Sequence, residues 1–398
     1  MKVKRLPQHH WDLKKLSDCC YSISDGDHQP PPKVDIGVPF VTISNINSSN
    51  QFDFSNAMHV PQDYYDNLDE KRKARKGDIL YSVVGSFGTP ILIKRTVPFV
   101  FQRHIAILRP NNNIDSRFLY YTMLSRDFYA KADTVAIGAA QRTISLTSLR
   151  NISIEVPSLP IQHRIADILS AYDDLIENNR KQIALLEEAA QRLYREWFVD
   201  FRFPGHETAE WENGLPKGWR KVLLTDMADI QYGYAFNGAL FNSEQKGMPI
   251  IRIRNIPKGT TEDYTTEIAD NRYVVHNGDI LVGMDGEFHI NTWSGDDAYL
   301  VQRTLCIHPK YNEHKGYLLN AIYAPIKYYE KTITGATVGH LGKSHIDKIF
   351  ILKVADDLYK PFAQILNNQQ ILKNYNRRLQ IARDSLLPRL MSGELEVK

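Results

Sequence analysis

Val156-Pro-Ser-Leu-Pro160-Ile-Gln-His-Arg-Ile165-Ala-Asp-Ile-Leu169 opens the stretch that decides the architecture. Ser158 is placed to cap a helix, and Pro160 falls in its first turn, where a missing N–H costs nothing. From Ile161 to Phe198 a heptad-like seam recurs: Ile165, Ile168, Tyr172, Leu175, Asn179, Gln182, Leu186, Ala189 and Leu193. Adding 197 to each number gives a second seam: Phe362, Ile365, Gln369, Leu372, Asn376, Leu379, Arg383, Leu386 and Leu390. Each seam is mostly apolar and carries an asparagine near its middle. Two such helices packed antiparallel bring their midpoints together. Asn179 and Asn376 are therefore expected within about two helical turns, roughly 11 Å, as a buried pair that fixes register at a cost in stability. About 38 residues make a rod of roughly 57 Å. Ile183, Leu185, Tyr194, Trp197 and Phe198 lie off the seam, so partner subunits are expected on the outer faces.

The repeat reaches beyond the helices. Val38–Ile46 (VPFVTISNI) matches Met248–Ile256 (MPIIRIRNI), and Gly77-Asp-Ile-Leu80 recurs as Gly278-Asp-Ile-Leu281. Gln102-Arg103 recurs as Gln302-Arg303, Gly138-Ala139 as Gly335-Ala336, and Trp11 pairs with Trp219. Five weak matches in one order, with smoothly drifting offsets, mark an internal duplication. Each copy reads as short strands punctuated by Gly, Pro, Asn and Asp: Phe40–Ile46, Ile79–Val84 and Phe99–Leu108, then Ile250–Ile256, Ile280–Met284 and Tyr299–Ile307. A helix (Ser116–Lys131; Lys315–Lys331) and a last strand (Ile152–Val156; Ile349–Val354) complete each copy. The expected division is 1–157, a helical spacer 158–203, 204–355, and a closing helix 356–398.

With 398 residues and 43% apolar side chains the chain suits two to three folded domains. No run of 18 apolar residues occurs and residues 1–12 hold no apolar signal core, so neither membrane insertion nor secretion is expected. Three cysteines, Cys19, Cys20 and Cys306, cannot build a disulfide framework, and a reduced cytoplasmic setting follows. The thirteen histidines show no ligand spacing, so no metal site is expected. Net charge is only +3, but residues 1–157 carry 20 basic and 15 acidic side chains. That excess includes Lys71, Arg72, Lys73, Arg75 and Lys76, either a phosphate-neutralising run or a solvated loop. Gly335–Ser344 lacks the first glycine of a phosphate loop, and Glu313-His-Lys315 is too short to mark a nuclease.

Val156–Leu169 running into Asp174-Leu-Ile-Glu-Asn-Asn-Arg180 resembles the central conserved region of the specificity subunits of type I restriction–modification enzymes. Arg383-Asp-Ser-Leu-Leu-Pro388-Arg-Leu-Met-Ser-Gly393 is similar to that family's C-terminal conserved region. Gly214-Leu-Pro-Lys-Gly-Trp219 and Ile23-Ser-Asp-Gly-Asp-His28 resemble the openings of its two recognition domains. Val354-Ala-Asp-Asp357 departs from the Pro-x-x-Pro turn of the first copy. The resemblance implies an α+β chain of two tandem mixed α/β target recognition domains. These are joined by two long antiparallel coiled-coil helices in a pseudo-two-fold internal repeat. It further implies double-stranded DNA as partner, one half of a split asymmetric site per domain, and a gap set by the helices. Two modification subunits, adenine-N6 methyltransferases using S-adenosylmethionine, dock on the helices; restriction subunits, translocases using ATP and Mg²⁺, join them. The chain itself holds no cofactor and performs no chemistry. The competing reading is a stand-alone DNA-modifying or cleaving enzyme with an unrecognised site.

Base readout needs forked donors and amides, and phosphate contacts need Lys, Arg and hydroxyls. Two regions carry the mixture. One is Gln141, Arg142 and Thr143 after Ala139-Ala140, matched by Thr337–Ser344 with His340 and Lys343. The other is Ser44 and Asn45, with Arg252 and Arg254 on one strand face. Gln102, Arg103 and Arg303, recurring in both copies, suit phosphate contacts or scaffold.

Overall fold

The computed structural model describes residues 11–28, 31–47, 50–85, 87–138, 141–333 and 339–397. The chain divides into two compact units, Met1–Asp174 with Leu379–Lys398, and Leu175–Arg378.

In the first unit the strands are β1 (Asp12–Lys15), β2 (Cys20–Asp25), β3 (Val38–Val41), β4 (Met58–Val60), β5 (Ile79–Ser82), β6 (Pro90–Leu92), β7 (Val100–Phe101), β8 (Ile105–Pro110) and β9 (Ser153–Val156). An antiparallel sheet runs β2-β8-β5-β6 beside a second sheet β4-β3-β7, whose β3–β7 pair is parallel; β1 pairs with β9. Strands β5 and β8 are buried on both faces. Ile79, Tyr81, Ala106 and Leu108 enter one apolar cluster, and Leu80, Ile105 and Ile107 enter another. That explains their near-continuous apolar runs.

The second unit holds β10 (Trp211–Glu212), β11 (Leu215–Pro216), β12 (Arg220–Leu223), β13 (Ala228–Tyr232), β14 (Phe241–Asn242), β15 (Met248–Ile251), β16 (Tyr264–Thr265), β17 (Val274–Val275), β18 (Ile280–Gly283), β19 (Ile290–Thr292), β20 (Ala298–Leu300), β21 (Thr304–Pro309) and β22 (Phe350–Lys353). Its sheet β13-β21-β18-β19 has the topology of β2-β8-β5-β6, and β16-β15-β20 that of β4-β3-β7, including the parallel pair β15–β20. The duplication read in the sequence is a duplication of topology.

Two recurring motifs serve the scaffold. Gly77 and Gly278 take φ of +92° and +90°, and the next residue caps the turn: Asp78 Oδ2 accepts from Arg75 N (2.8 Å), Asp279 Oδ2 from His276 N (2.9 Å). Only glycine reaches that φ cheaply. The strands expected over Phe40–Ile46 and Ile250–Ile256 end at Val41 and Ile251, because 3₁₀ turns follow. Asn45 Oδ1 accepts from Thr42 N (2.9 Å), and Asn255 Oδ1 accepts from Arg252 N (2.8 Å). Side-chain capping of this kind competes with the ladder and stops it. The Gln-Arg match is one residue out of register. Val83 N donates to His104 O and Met284 N to Arg303 O, so the backbone counterpart of Arg303 is His104, not Arg103.

The long helices run Leu159–Tyr194, closed by a π-turn over Arg195–Val199, and Lys360–Met391. Each unit contains half of each. In the first, Ile165, Ala166 and Leu169 pack with Leu387, Leu390, Phe118 and Tyr121, and Asp173 Oδ1 accepts from Arg383 Nη1 (2.6 Å). In the second, Asn179 Nδ2 donates to Asn376 Oδ1 at 2.8 Å and Asn376 Nδ2 to Ile176 O at 3.4 Å. Within each unit the partner numbers fall as the helix numbers rise, so the halves pair antiparallel.

The seam itself needs correcting. Ile165, Tyr172, Asn179 and Leu186 face inward, but Ile168 and Leu175 are 37% and 46% exposed, and Gln182 and Ala189 are exposed too. The intervening buried positions are Leu169, Ile176 and Ala190, one residue later. Adjacent apolar pairs at 168–169 and 175–176 satisfy either a 3-4 or a 4-3 step, and the sequence period alone does not choose. In the second helix Phe362, Asn376 and Leu379 are buried, while Ile365, Leu372 and Leu386 are half-buried beside Leu366 and Leu387. Phe198, Tyr194 and Trp197 do not await a partner: they pack with Phe362 and Tyr317 in the second unit's main core. Leu185, 64% exposed, remains uncovered.

Candidate nucleic-acid interface

The two loops singled out by composition occupy equivalent places. Thr143 bridges to Val84 and His340 to Asp285, while Gly85 N donates to Arg142 O and Gly286 N to Gly339 O. Each loop thus closes against the end of the central strand of its sheet. Ala139, Ala140, Thr337 and Val338 lie outside the described residues.

In the first copy Gln141 is exposed, but Arg142 turns back onto its own domain. Its Nη2 donates to the Asp133 carboxylate (2.6 Å) and carbonyl, and its buried Nε has no partner among the described residues. Thr143 is tied by backbone bonds to Ile137 in both directions. In the second copy Arg303 adopts φ +71° and lies beside His340 and Asp285. The shortest contact there is His340 Nδ1 to Asp285 Oδ1 at 2.6 Å; Arg303 Nε stands 3.6 Å from the other carboxylate oxygen. A proton on Nδ1 directed at Asp285 leaves the guanidinium held by charge, with donors to spare. Lys343 is exposed at the start of the short helix Lys343–Ile346.

The basic run is largely neutralised at home. Lys73 Nζ donates to Glu70 (2.9 Å) and to Asp66 O (2.9 Å), Arg75 pairs with Glu70, and Arg72 lies 3.9 Å from both Asp25 and Asp27. Hydrogen bonds from Lys73 and Arg75 hold the Glu70 carboxyl below its ordinary range. Lys71 and Lys76 are exposed and make no ion pair among the described residues. Arg103 is exposed as well, with Gln102 half-buried.

Ser44 is exposed, whereas Asn45 spends both amide groups on the turn: Oδ1 on Thr42 N and Nδ2 on Asp53 O. The alternation argued for Arg252 and Arg254 fails, since both sit in the 3₁₀ turn. Arg254 forks onto Asp263, with Nε–Oδ2 3.2 Å and Nη2–Oδ1 2.5 Å. The Arg252 guanidinium lies 5.7 Å over the Phe241 ring. Side chains with spare donors at these places are therefore Lys71, Lys76, Arg103, Gln141, Arg303 and Lys343.

Two features escaped the sequence. Phe87 and Tyr129 stack at 5.3 Å and 8° next to the Gly85 turn, with Tyr129 47% exposed and Gly88 leaving no room for a Cβ against its ring. An exposed aromatic stack beside an amide-bearing loop suits base or sugar contact, and 42 residues of separation hid it. Gln162, 1% exposed, joins the long helix to the sheet domain: its amide donates to Pro157 O and Asn113 O and accepts from Asp115 N.

The family model described as type I restriction modification DNA specificity domain matches residues 9–188 and 216–352. The chain is 25% identical to the type I restriction enzyme MjaIX specificity subunit of Methanocaldococcus jannaschii, over 100% of this chain and 96% of that protein. It is 23% identical to the HindI specificity subunit of Haemophilus influenzae, over 82% and 88%. Among solved structures, the S subunit of a type I restriction–modification system from M. genitalium covers 98% of both chains at 17% identity and a TM-score of 0.57, a likeness of fold.

Proposed function

The chain belongs to the DNA specificity family of type I restriction–modification systems, and we propose that it reads a two-part asymmetric DNA target and positions methyltransferase subunits on it without reacting itself. The observation that carries this reading is the repeated topology, β2-β8-β5-β6 and β13-β21-β18-β19, within one polypeptide. Two readers of one fold but different loops are what an asymmetric split site requires. Gln141 with the Phe87–Tyr129 stack in one copy, and Arg303 with Lys343 in the other, are the side chains we assign to half-site contact. Lys71, Lys76 and Arg103 are assigned to phosphates, where charge without direction suffices.

Apolar side chains left exposed along the long helices, Ile168, Leu175, Leu185 and Ile371, are 37%, 46%, 64% and 56% accessible and suit docking of the modification subunits. Those subunits would supply S-adenosylmethionine chemistry, and restriction subunits ATP- and Mg²⁺-dependent steps. Incubating the purified chain with DNA, Mg²⁺ and S-adenosylmethionine should give neither methylation nor cleavage. Adding the modification subunit should produce methyladenine at one bipartite motif. Turnover by the chain alone would favour the stand-alone enzyme instead.

A further inference from the structure

At the turn-capping aspartate the two copies have diverged in a chemically specific way. In the first, Asp78 receives Arg109 as a fork, Nε–Oδ1 3.0 Å and Nη2–Oδ2 2.9 Å, with Ile107 two residues earlier on β8. The strand registers Leu80↔Ile107 and Leu281↔Cys306 make Ile107 and Cys306 equivalent. Ser22↔Arg109 and Asp229↔His308 do the same for Arg109 and His308. Around the same carboxylate the second copy thus replaces an aliphatic side chain and a guanidinium by a thiol and an imidazole.

We propose that Asp279, Cys306 and His308 form a binding site for one thiophilic divalent cation, Zn²⁺ or a metal of like preference. One ligand atom from each residue lies within 4.8 Å of the others, and Cys306 Sγ is 4.0 Å from His308 Nδ1. Residues two apart on β21 share a face, so thiol and imidazole point the same way. His308 Nε2 is 2.6 Å from Gln231 Oε1. With the proton held there, the Nδ1 lone pair faces the thiol, the usual outer support of a ligating histidine. Tetrahedral zinc needs ligand atoms about 3.5 Å apart, a closure of roughly half an ångström for thiol and imidazole and of up to about 1.3 Å for the carboxylate. Three protein ligands leave a fourth position for water.

Two groups oppose the ion. Lys315 Nζ stands 3.3 Å from Asp279 Oδ1, the oxygen not engaged with His276 N, and must let it go. Burial pushes the Cys306 thiol up, so the metal-free thiol keeps its proton. On binding, the S–H bond breaks, the S–metal bond forms and the proton passes to solvent.

The site is independent of the DNA reading and is tested on the full chain. After exposure to Zn²⁺ and desalting, elemental analysis should find one equivalent per chain, and Co²⁺ should give a thiolate charge-transfer band. The pair Cys306→Ile with His308→Arg rebuilds the first copy's arrangement, so it should fold, as circular dichroism checks, and bind none. Cys306→Ser should remove the Co²⁺ band while Cys19 and Cys20 remain. Lys315→Met should tighten binding at least several-fold. Equal metal content in the wild type and the paired variant, a band that survives Cys306→Ser, or a wild type below about a tenth of an equivalent overturns the proposal.

Discussion

Arg303 is held where an L side chain is disfavoured: at φ +71° it gives up about 1 kcal/mol relative to a relaxed backbone. Its equivalent His104 is not among the residues with positive φ, so the second copy's turn is not forced on it by the shared topology. Arg303→Gly relieves the backbone while removing the guanidinium. Calorimetry should show unchanged or slightly raised stability, and electrophoretic titration should show weaker DNA binding with preference lost in one half-site. A drop in stability would make Arg303 a scaffold residue through Asp285. The basic run separates in the same way. Lys71→Ala with Lys76→Ala should lower the salt slope of binding by up to about 2. Lys73→Ala, whose ammonium serves Glu70 and Asp66 O, should leave that slope nearly unchanged. Composition marked all five cations alike, because a run of charge says nothing about acids that folding brings to it: Asp25 and Asp27 lie some 45 residues upstream. Cys306-x-His308 was equally silent, since its third partner, Asp279, is supplied by the turn that leads into the neighbouring strand.

Among the elements, the long helices were the most legible and their seam half so. Every seventh residue was placed correctly on the first helix, where Ile165 and Asn179 are buried, and the alternate positions slipped by one because Ile-Leu and Leu-Ile pairs fill both options. The polar residues carry the register. Asn179 and Asn376 are 6% and 7% exposed and bonded at 2.8 Å. Asn179→Leu alone strands Asn376 Oδ1, while Nδ2 keeps Ile176 O, and should cost roughly 1–3 kcal/mol. With Asn376→Leu added, most of that should return, leaving pairing less specific. Thermal melts of the two single variants and the double variant give the coupling, and an additive result would mean the asparagines do not act together. In the first unit Asp173 plays a similar part, accepting from Arg383 Nη1 and Tyr121 Oη at 2.6 Å each. Asp173→Ala leaves the Arg383 guanidinium with the exposed Asp384 carboxylate as its remaining acid and takes the acceptor from Tyr121 Oη, and should cost roughly 1–3 kcal/mol, the same order as either asparagine.

For the whole molecule, the duplication was visible because glycine at positive φ and turn-capping Asp and Asn cannot be exchanged freely, so Gly77-Asp78 and Asn45 reappear as Gly278-Asp279 and Asn255. The Gln-Arg match, though offset like its neighbours, was coincidence, as the His104–Arg303 equivalence exposes. What was not legible is which donors face outward, since that depends on how each turn folds: Glu70, Asp133 and Asp263 lie three to nine residues from the cations they hold, and only Arg72 meets acids from far upstream. The consequence reaches the molecule's work. If each copy reads independently, a change confined to one copy must alter one half of the methylated motif and leave the other intact. Gln141→Ala, an exposed residue whose side chain makes no hydrogen bond among the described residues, is the cleanest such change in the first copy. Sequencing methyladenines in DNA modified by this variant with its methyltransferase partner should show one half-site relaxed and the second half and the gap unchanged. Relaxation of both halves would mean the readers are coupled, and a chain built from two equivalent but separately bonded sheets gives no reason for that.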